Sequence, residues 1–335
     1  MSGDATVDQA PPSLRGKAVG GLGPTDGGSG HRLTRERVHY AWDKSIPPLL
    51  TIDPGETVVF ETRESSDGRI TRETSRENPP TKARAAGHPL TGPVFIRGAE
   101  PGDTLEVEIL DLRPGDWGYT AFYPGRGLLP DDFDEPFFQI WDLTGDPAPF
   151  RPGIAVPLEP FLGVMGVALA EEGPQSTMPP RRNGGNVDTK QLTAGSRLFL
   201  PVLVPGALFS CGDGHAAQGD GEVCITAIET DMTATLRFSL HKGRELPEFQ
   251  FWTAGPLLPR TNGREWFATT GHGPDLMEAA RNAVRHMIAW LVKEHGLTRE
   301  EAYILCSVAV DLKLSEVVDA PNWVVSAFLP MALFD

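Results

Sequence analysis

Near the middle of the chain, Gly212-Asp213-Gly214-His215-Ala216-Ala217-Gln218-Gly219-Asp220-Gly221-Glu222 holds one imidazole, three carboxylates and four glycines in eleven residues. So little apolar material cannot bury itself, and the run must face something polar. His215, Asp220 and Glu222 offer neutral imidazole nitrogen and carboxylate oxygen, the usual nitrogen and oxygen ligands of zinc, and such oxygens also suit calcium. Asp220 and Glu222 are two residues apart. If residues 220 to 224 are extended, both carboxylates point to one face of a strand and Gly221 to the other. The run also reads as a tight acidic turn joining two strands, with His215 packed beside it. No local pattern as compact as HExxH is present to choose between the two.

The flanking segments must position these groups. A strand-like run rich in Leu, Val and Phe, residues 197 to 210, precedes the cluster, and a second apolar run, residues 223 to 228, follows it. Side chains at the end of a rigid strand are held to the tolerances that chemistry needs, and glycine lets the backbone turn sharply and approach a ligand. A second polar, glycine-rich cluster, Asn183-Gly184-Gly185-Asn186-Val187-Asp188, leads into the first of these strands. Asp188 there is either a further ligand or the residue that turns the chain through an Asx-type bond.

The rest of the chain reads as β-rich α/β: mixed sheets or barrel-like β-structure with long loops and a C-terminal helical segment over 275 to 311. Residues 1 to 30 have almost no large apolar side chains and read as a flexible arm before a single domain, 31 to 335. From Val38 onward, short apolar runs alternate with turn signals such as Asp53-Pro54-Gly55 and Glu100-Pro101-Gly102-Asp103. Residues 58 to 60, 105 to 109, 163 to 169 and 234 to 240 read as strands. Between 111 and 159, aromatics such as Trp117, Tyr119, Phe122 and Trp141 anchor an irregular segment onto the body. The clearest helix is 275 to 295, where Met277, Ala280, Val284, Met287, Ile288 and Leu291 recur at three and four, with Pro274-Asp275 as start and Gly296 as stop. Thr298-Arg299-Glu300-Glu301 is a capping box that opens a second helix to about Val310. His286 and His295 are read as surface or packing residues.

Thirty basic against 45 acidic residues give a net charge of −15, which opposes binding to nucleic acid or anionic membrane. Three cysteines, Cys211, Cys224 and Cys306, show no CxxC spacing and suit a reducing cytoplasm. No apolar run is long enough to span a bilayer, and the N-terminus lacks a signal-peptide core.

The segment GDGHAAQGDGEVCITAIE closely resembles the signature of the acetamidase/formamidase family, as does PPRRNGGNVDTKQLTAGSRLFLPVLVPGALFS at residues 179 to 210. Further blocks follow in the same order, among them HYAWDKSIPPLLTIDPGETVVFET, HPLTGPVFIRGAEPGDTLEVEI, PFLGVMGVAL and GLTREEAYILCSVAVDLKLSEVVDAPNWVVSAFLP, so that roughly residues 33 to 333 are covered. Thr189, Ile225 and Arg97 depart from the pattern and bear on substrate choice more than on reaction type. The resemblance implies an enzyme that hydrolyses a small linear amide, formamide or acetamide, with a γ-lactam as a variation. It implies a divalent metal, zinc before calcium, near Asp188, His215 and Asp220. A homo-oligomer, dimer or larger, is expected, with the N-terminal arm pinned on a neighbouring subunit. His39, His88 and His272 sit in family-like blocks and are candidate pocket residues.

An amide resists water because resonance strengthens its C–N bond. A bound divalent ion lowers the pKa of water and polarises the carbonyl, while a carboxylate moves the proton to the departing nitrogen. Glu222, beside His215, is assigned that shuttle. Gly184, Gly185, Asn186 and Gly214 are candidates for substrate or oxyanion contacts. Cys211, or Ser176 with Lys190, offers a nucleophilic alternative that lacks an activating pattern. A non-catalytic small-molecule binder with a structural metal is the competing class.

Overall fold

Alternation over Thr104–Pro114 places Leu105, Val107 and Ile109 on a buried face, while Glu106 and Glu108 on the other meet Arg197 and Arg237. The computed structural model describes residues 30–80, 87–253 and 265–334. The arm expected over residues 1 to 30 lies, apart from Gly30, outside the described residues. Thr104–Pro114 is central to a six-stranded sheet with the order His31–Leu33, Thr57–Thr62, Met232–His241, Thr104–Pro114, Arg197–Pro201, Gln250–Trp252.

A nine-stranded sheet carries the polar clusters. Its main path runs Gly184–Asn186, Phe161–Gly166, Phe209–His215, Glu229–Thr230, Trp117–Phe122, Phe137–Asp142, and Leu90–Ile96 pairs with Phe209–His215 from the side. Pairing is antiparallel except for His31–Leu33 with Thr57–Thr62 and Leu50–Ile52 with Leu90–Ile96, so both sheets are mixed. Side chains from the two sheets share one core. Phe60, Phe209 and Phe238 meet there edge to face at 5.1 to 6.2 Å.

The C-terminal part builds a three-stranded antiparallel sheet, ordered Trp266–Gly273, Trp323–Pro330, Asp311–Glu316, against helices α1 (Leu276–His295) and α2 (Arg299–Ala309). Asp275 caps α1 by accepting from the Glu278 N–H at 3.0 Å, and Gly296 ends it at φ 66°. Both halves of the Thr298 capping box are made. The expected helices are therefore present with their expected ends. Trp141 and Phe122 are buried, and the Trp141 indole donates to Thr120 Oγ1 at 2.9 Å, which is anchoring.

Two local expectations differ. The polar run begins inside a strand, since Phe209–His215 includes Gly212 to His215. The strand expected over 223 to 228 is a series of turns that ends in the short strand Glu229–Thr230. Its backbone finds partners elsewhere: the Cys224 N–H donates to Ser307 Oγ at 3.1 Å, and the Val223 carbonyl accepts from Leu128 N and from the Tyr303 hydroxyl. Helix α2 supplies two of these groups, so no ladder is needed.

Candidate active site

The strand Phe209–His215 carries the centre of the site, lying between Phe161–Gly166 on one side and Leu90–Ile96 followed by Glu229–Thr230 on the other. Asp213 and His215 project into one space, with His215 Nε2 3.4 Å from Asp213 Oδ2. The alternating glycines face neighbours that leave no room. A Cβ on Gly212 would lie 2.6 Å from the Pro89 carbonyl oxygen, and one on Gly214 2.6 Å from that of Thr230.

Gly163, on the adjacent strand, is the floor. A Cβ there would sit 2.7 Å from Asp188 Oδ1, 2.8 Å from His215 Cε1 and 2.9 Å from Asp213 Oδ2. The Gly163 carbonyl accepts from the N–H groups of Val187 at 3.0 Å and Asp188 at 3.2 Å, which fixes the Asp188 loop over the strand. Glu229 stands opposite His215 and places Oε2 3.4 Å from Nε2. Glu222 enters from the turn, with Oε1 4.0 Å from the same nitrogen.

Gln218 orients the imidazole. Its Nε2 donates to the Asp188 carbonyl at 2.9 Å, which turns Oε1 toward His215 Nδ1, also at 2.9 Å. Nδ1 therefore carries a proton, and Nε2 is committed to the carboxylate-lined space. The edge of Phe161 packs on the ring at 5.0 Å between centroids.

Asp188 Oδ1, Asp213 Oδ1, His215 Nε2 and Glu229 Oε2 are buried with no hydrogen-bond partner among the described residues. An unpaired buried polar atom costs about 1–3 kcal/mol, more when charged. All four belong to side chains of this centre. Two sets offer ligand atoms within 4.8 Å of one another: Asp188, His215 and Glu222, and Asp213, His215 and Glu229. One imidazole nitrogen and several carboxylate oxygens form a donor set that fits a divalent cation.

The electrostatics point the same way. Burial pushes Asp188 up to about 7, with His215 easing the shift and Asp213 and Glu229 adding to it. Burial likewise raises Glu229 to about 7, and burial together with the Asp188 charge holds Glu222 well above the usual carboxylate range. Asp213 is held below that range, because His215 and His88 outweigh its burial. Burial opposes charge on His215, but the Glu229 and Asp213 carboxylates win and keep its proton bound well above the usual imidazole range. The pocket is short of positive charge.

Backbone strain collects here too. Asp188 (φ 41°), Asp213 (φ 59°) and Glu222 (φ 43°) all occupy the left-handed region. A non-glycine residue there costs about 1–3 kcal/mol and persists only when its surroundings hold it. Three of the site's carboxylates are held this way.

Of the residues singled out from the sequence, Asp188, His215 and Glu222 come together. Asp220 does not join them: it lies in a turn rather than a strand, and its carboxylate accepts from Gln191 Nε2 at 3.0 Å. His88 is buried at the margin, with Nε2 3.9 Å from Asp213 Oδ2 and Nδ1 3.2 Å from Thr177 Oγ1. His39 bonds to Ala41 O and Ser210 Oγ, both at 2.9 Å, and His272 is exposed on the C-terminal sheet. Gly184–Asn186 pairs with Val164 to Gly166, and Asn186 Nδ2 donates to Met178 O at 3.1 Å. Gly214 is in register with both Leu162 and Thr230.

Asp213, Gln218, Glu229 and Gly163 were not singled out. Asp213 alone had a signal, its place two residues before His215 on what proves to be the same strand. Cys211, Cys224 and Cys306 are buried and free, and burial raises all three thiols, Cys224 to about 11. Cys211→Ala should leave amide turnover and metal content unchanged; loss of turnover with fold and metal intact would require a thiol mechanism.

The acetamidase/formamidase family model matches residues 29–176 and 168–335. An acetamidase from Mycolicibacterium smegmatis is 32% identical over 348 residues, covering 80% of this chain and 84% of that protein. A formamidase from Methylophilus methylotrophus is 29% identical, covering 89% and 90%. The solved structure of a γ-lactamase from Delftia acidovorans superposes with a TM-score of 0.82 at 29% identity, covering 89% of each chain. The family model spans nearly the whole chain, a relative 32% identical covers 80% of it and the fold superposes on a solved γ-lactamase, so the chain belongs to the acetamidase/formamidase family.

Proposed function

We propose that this chain hydrolyses the C–N bond of a small amide, releasing ammonia and a carboxylate, at a divalent-cation site formed around His215. That it is an amidase follows from its family. The observation that supports the cation is the set of four buried, unpartnered atoms on Asp188, Asp213, His215 and Glu229. These four residues would hold it, and the imidazole favours zinc over calcium, which takes an all-oxygen shell. When bound, such an ion polarises the amide carbonyl and lowers the pKa of water to about 7.

The chain's own groups supply the rest. The side chain of Glu222 is 17% exposed, against 1% for His215, 4% for Asp213 and 3% for Glu229, so it reaches the open side. Glu222 takes the proton of the attacking water and returns it to the leaving nitrogen. Gln218 keeps His215 Nε2 aimed inward, and Gly163 leaves the volume in which the centre fits. The likeness to a γ-lactamase supports a cyclic amide as a second substrate class.

Removal of metal by a chelator should abolish ammonia release from formamide, acetamide and γ-butyrolactam, and zinc should restore it on the preferred substrate. Full activity in a demonstrably metal-free protein would overturn the cation reading. Activity on none of the three would favour a binding protein. Three unpaired buried cysteines support a reducing, cytoplasmic setting. Among the described residues no helix is long and apolar enough to cross a membrane. A homo-oligomer belongs to the same reading, since the edge strand Gln250–Trp252 exposes Phe251 and Trp252.

A further inference from the structure

Lys190 and Asp311 form a buried ion pair that the reaction does not use: the two residues are 7% and 0% exposed, and Lys190 Nζ donates to Asp311 Oδ1. A buried ion pair is weak evidence for stability, because an apolar pair of similar volume often does as well. What it holds in place is more informative. Asp311 Oδ1 also accepts from the Asp220 N–H at 3.0 Å, and the Asp220 carbonyl accepts from the Leu312 N–H at 3.0 Å. Asp220 Oδ1 in turn accepts from Gln191 Nε2 at 3.0 Å, and Gln191 is next to Lys190 in the chain. The four residues close a ring.

We propose that Asp220 is a positioning residue: through the ring with Lys190, Gln191 and Asp311 it sets the separation of the loops that carry Asp188 and Glu222. Lys190 and Gln191 follow Asp188 by two and three residues, and Asp220 precedes Glu222 by two. Each side of the ring therefore governs one site carboxylate. Both carboxylates sit on left-handed backbone, which relaxes unless neighbours restrain it. The same loop is pressed onto the end of α2, where the Gly219 N–H donates to Ser307 O at 2.9 Å and a Cβ on Gly219 would meet Val310 O at 2.1 Å. The inference rests on reading Asp188 and Glu222 as site carboxylates.

Asp220→Asn keeps an oxygen to accept from Gln191 and removes the charge, whereas Asp220→Ala opens the ring. The test measures kcat for acetamide, zinc affinity by chelator competition and the melting temperature of the metal-free protein. Asp220→Ala should lose about 10- to 100-fold in zinc affinity or kcat, the usual effect of removing a group that orients ligands, while Asp220→Asn stays close to wild type. Gln191→Ala should reproduce the loss, and the double variant should be no worse than either single one. Gln191→Ala also carries the test if Asp220→Ala fails to fold.

Three results would overturn the proposal: an Asn variant as impaired as the Ala variant, which makes the charge itself necessary; losses that add in the double variant; or a lower melting temperature with kcat and affinity unchanged. A wild-type chain that bound no zinc would sink only the cation reading, since the kcat comparison still decides the ring.

Discussion

Glu222→Gln is expected to lower kcat for amide hydrolysis by about 10²- to 10⁴-fold, the usual contribution of a general acid–base group, while the metal stays bound. The substitution keeps the size of the side chain and an oxygen that can face His215, 4.0 Å away in the native chain, but removes the proton carrier. Glu222 is suited to this role because its side chain is 17% exposed against 1% for His215, and the turn around it is fixed by bonds from Glu222 N to Gly219 O at 3.2 Å and from Ile225 N to Glu222 O at 2.8 Å. If Glu222 is needed chiefly as a ligand, bound metal falls along with turnover. If hydrolysis hardly changes, the assignment is lost. Metal content and ammonia release measured on one preparation decide among these outcomes.

Gly163→Ala should be nearly as damaging although it adds one methyl group. Gly163 does not have a positive φ, so alanine fits the backbone and the effect is one of space. The new Cβ would fall within 3.0 Å of Asp188, His215 and Asp213 together. None of the three can yield freely, since Asp188 and Asp213 are on strained backbone and His215 is held by Gln218 and Phe161. A displacement of about 1 Å in such a centre costs on the order of 10²-fold in rate, and overpacking adds roughly 1–3 kcal/mol of destabilisation. The expected result is a folded protein with a lowered melting temperature, weakened zinc binding and kcat/KM reduced by about 10²-fold. Normal zinc affinity and turnover would show that the floor has slack.

Features set by neighbours in the chain could be read before the fold was known. Helix α1 ends where Asp275 and Gly296 end it, and the Thr298 capping box opens α2, because caps are bonds between residues three or four apart. The alternation of Thr104–Pro114 is local in the same sense. His215, Asp188 and Glu222 were legible because polar residues set among glycines bring donor chemistry with little apolar surface to pack, although the fold buries His215 fully.

Asp213, Glu229 and Gly163 belong to the site through register across a sheet, Gly163 between Leu162 and Val164 on the strand beside Gly212 and Gly214, and Glu229 opposite His215. No spacing along one chain encodes that register. The pairing of Asp220 with Glu222 failed for a related reason. Two residues apart means one face only on extended backbone, and here Gly221 at φ 112° and Glu222 at φ 43° turn the chain. Gly219 lies against the Val310 backbone at the end of α2 with no room for a side chain, and beyond it the turn sends Asp220 to Gln191 and Glu222 to the centre. Residue types declared the chemistry available to this chain, and packing between distant segments chose which carboxylates take part.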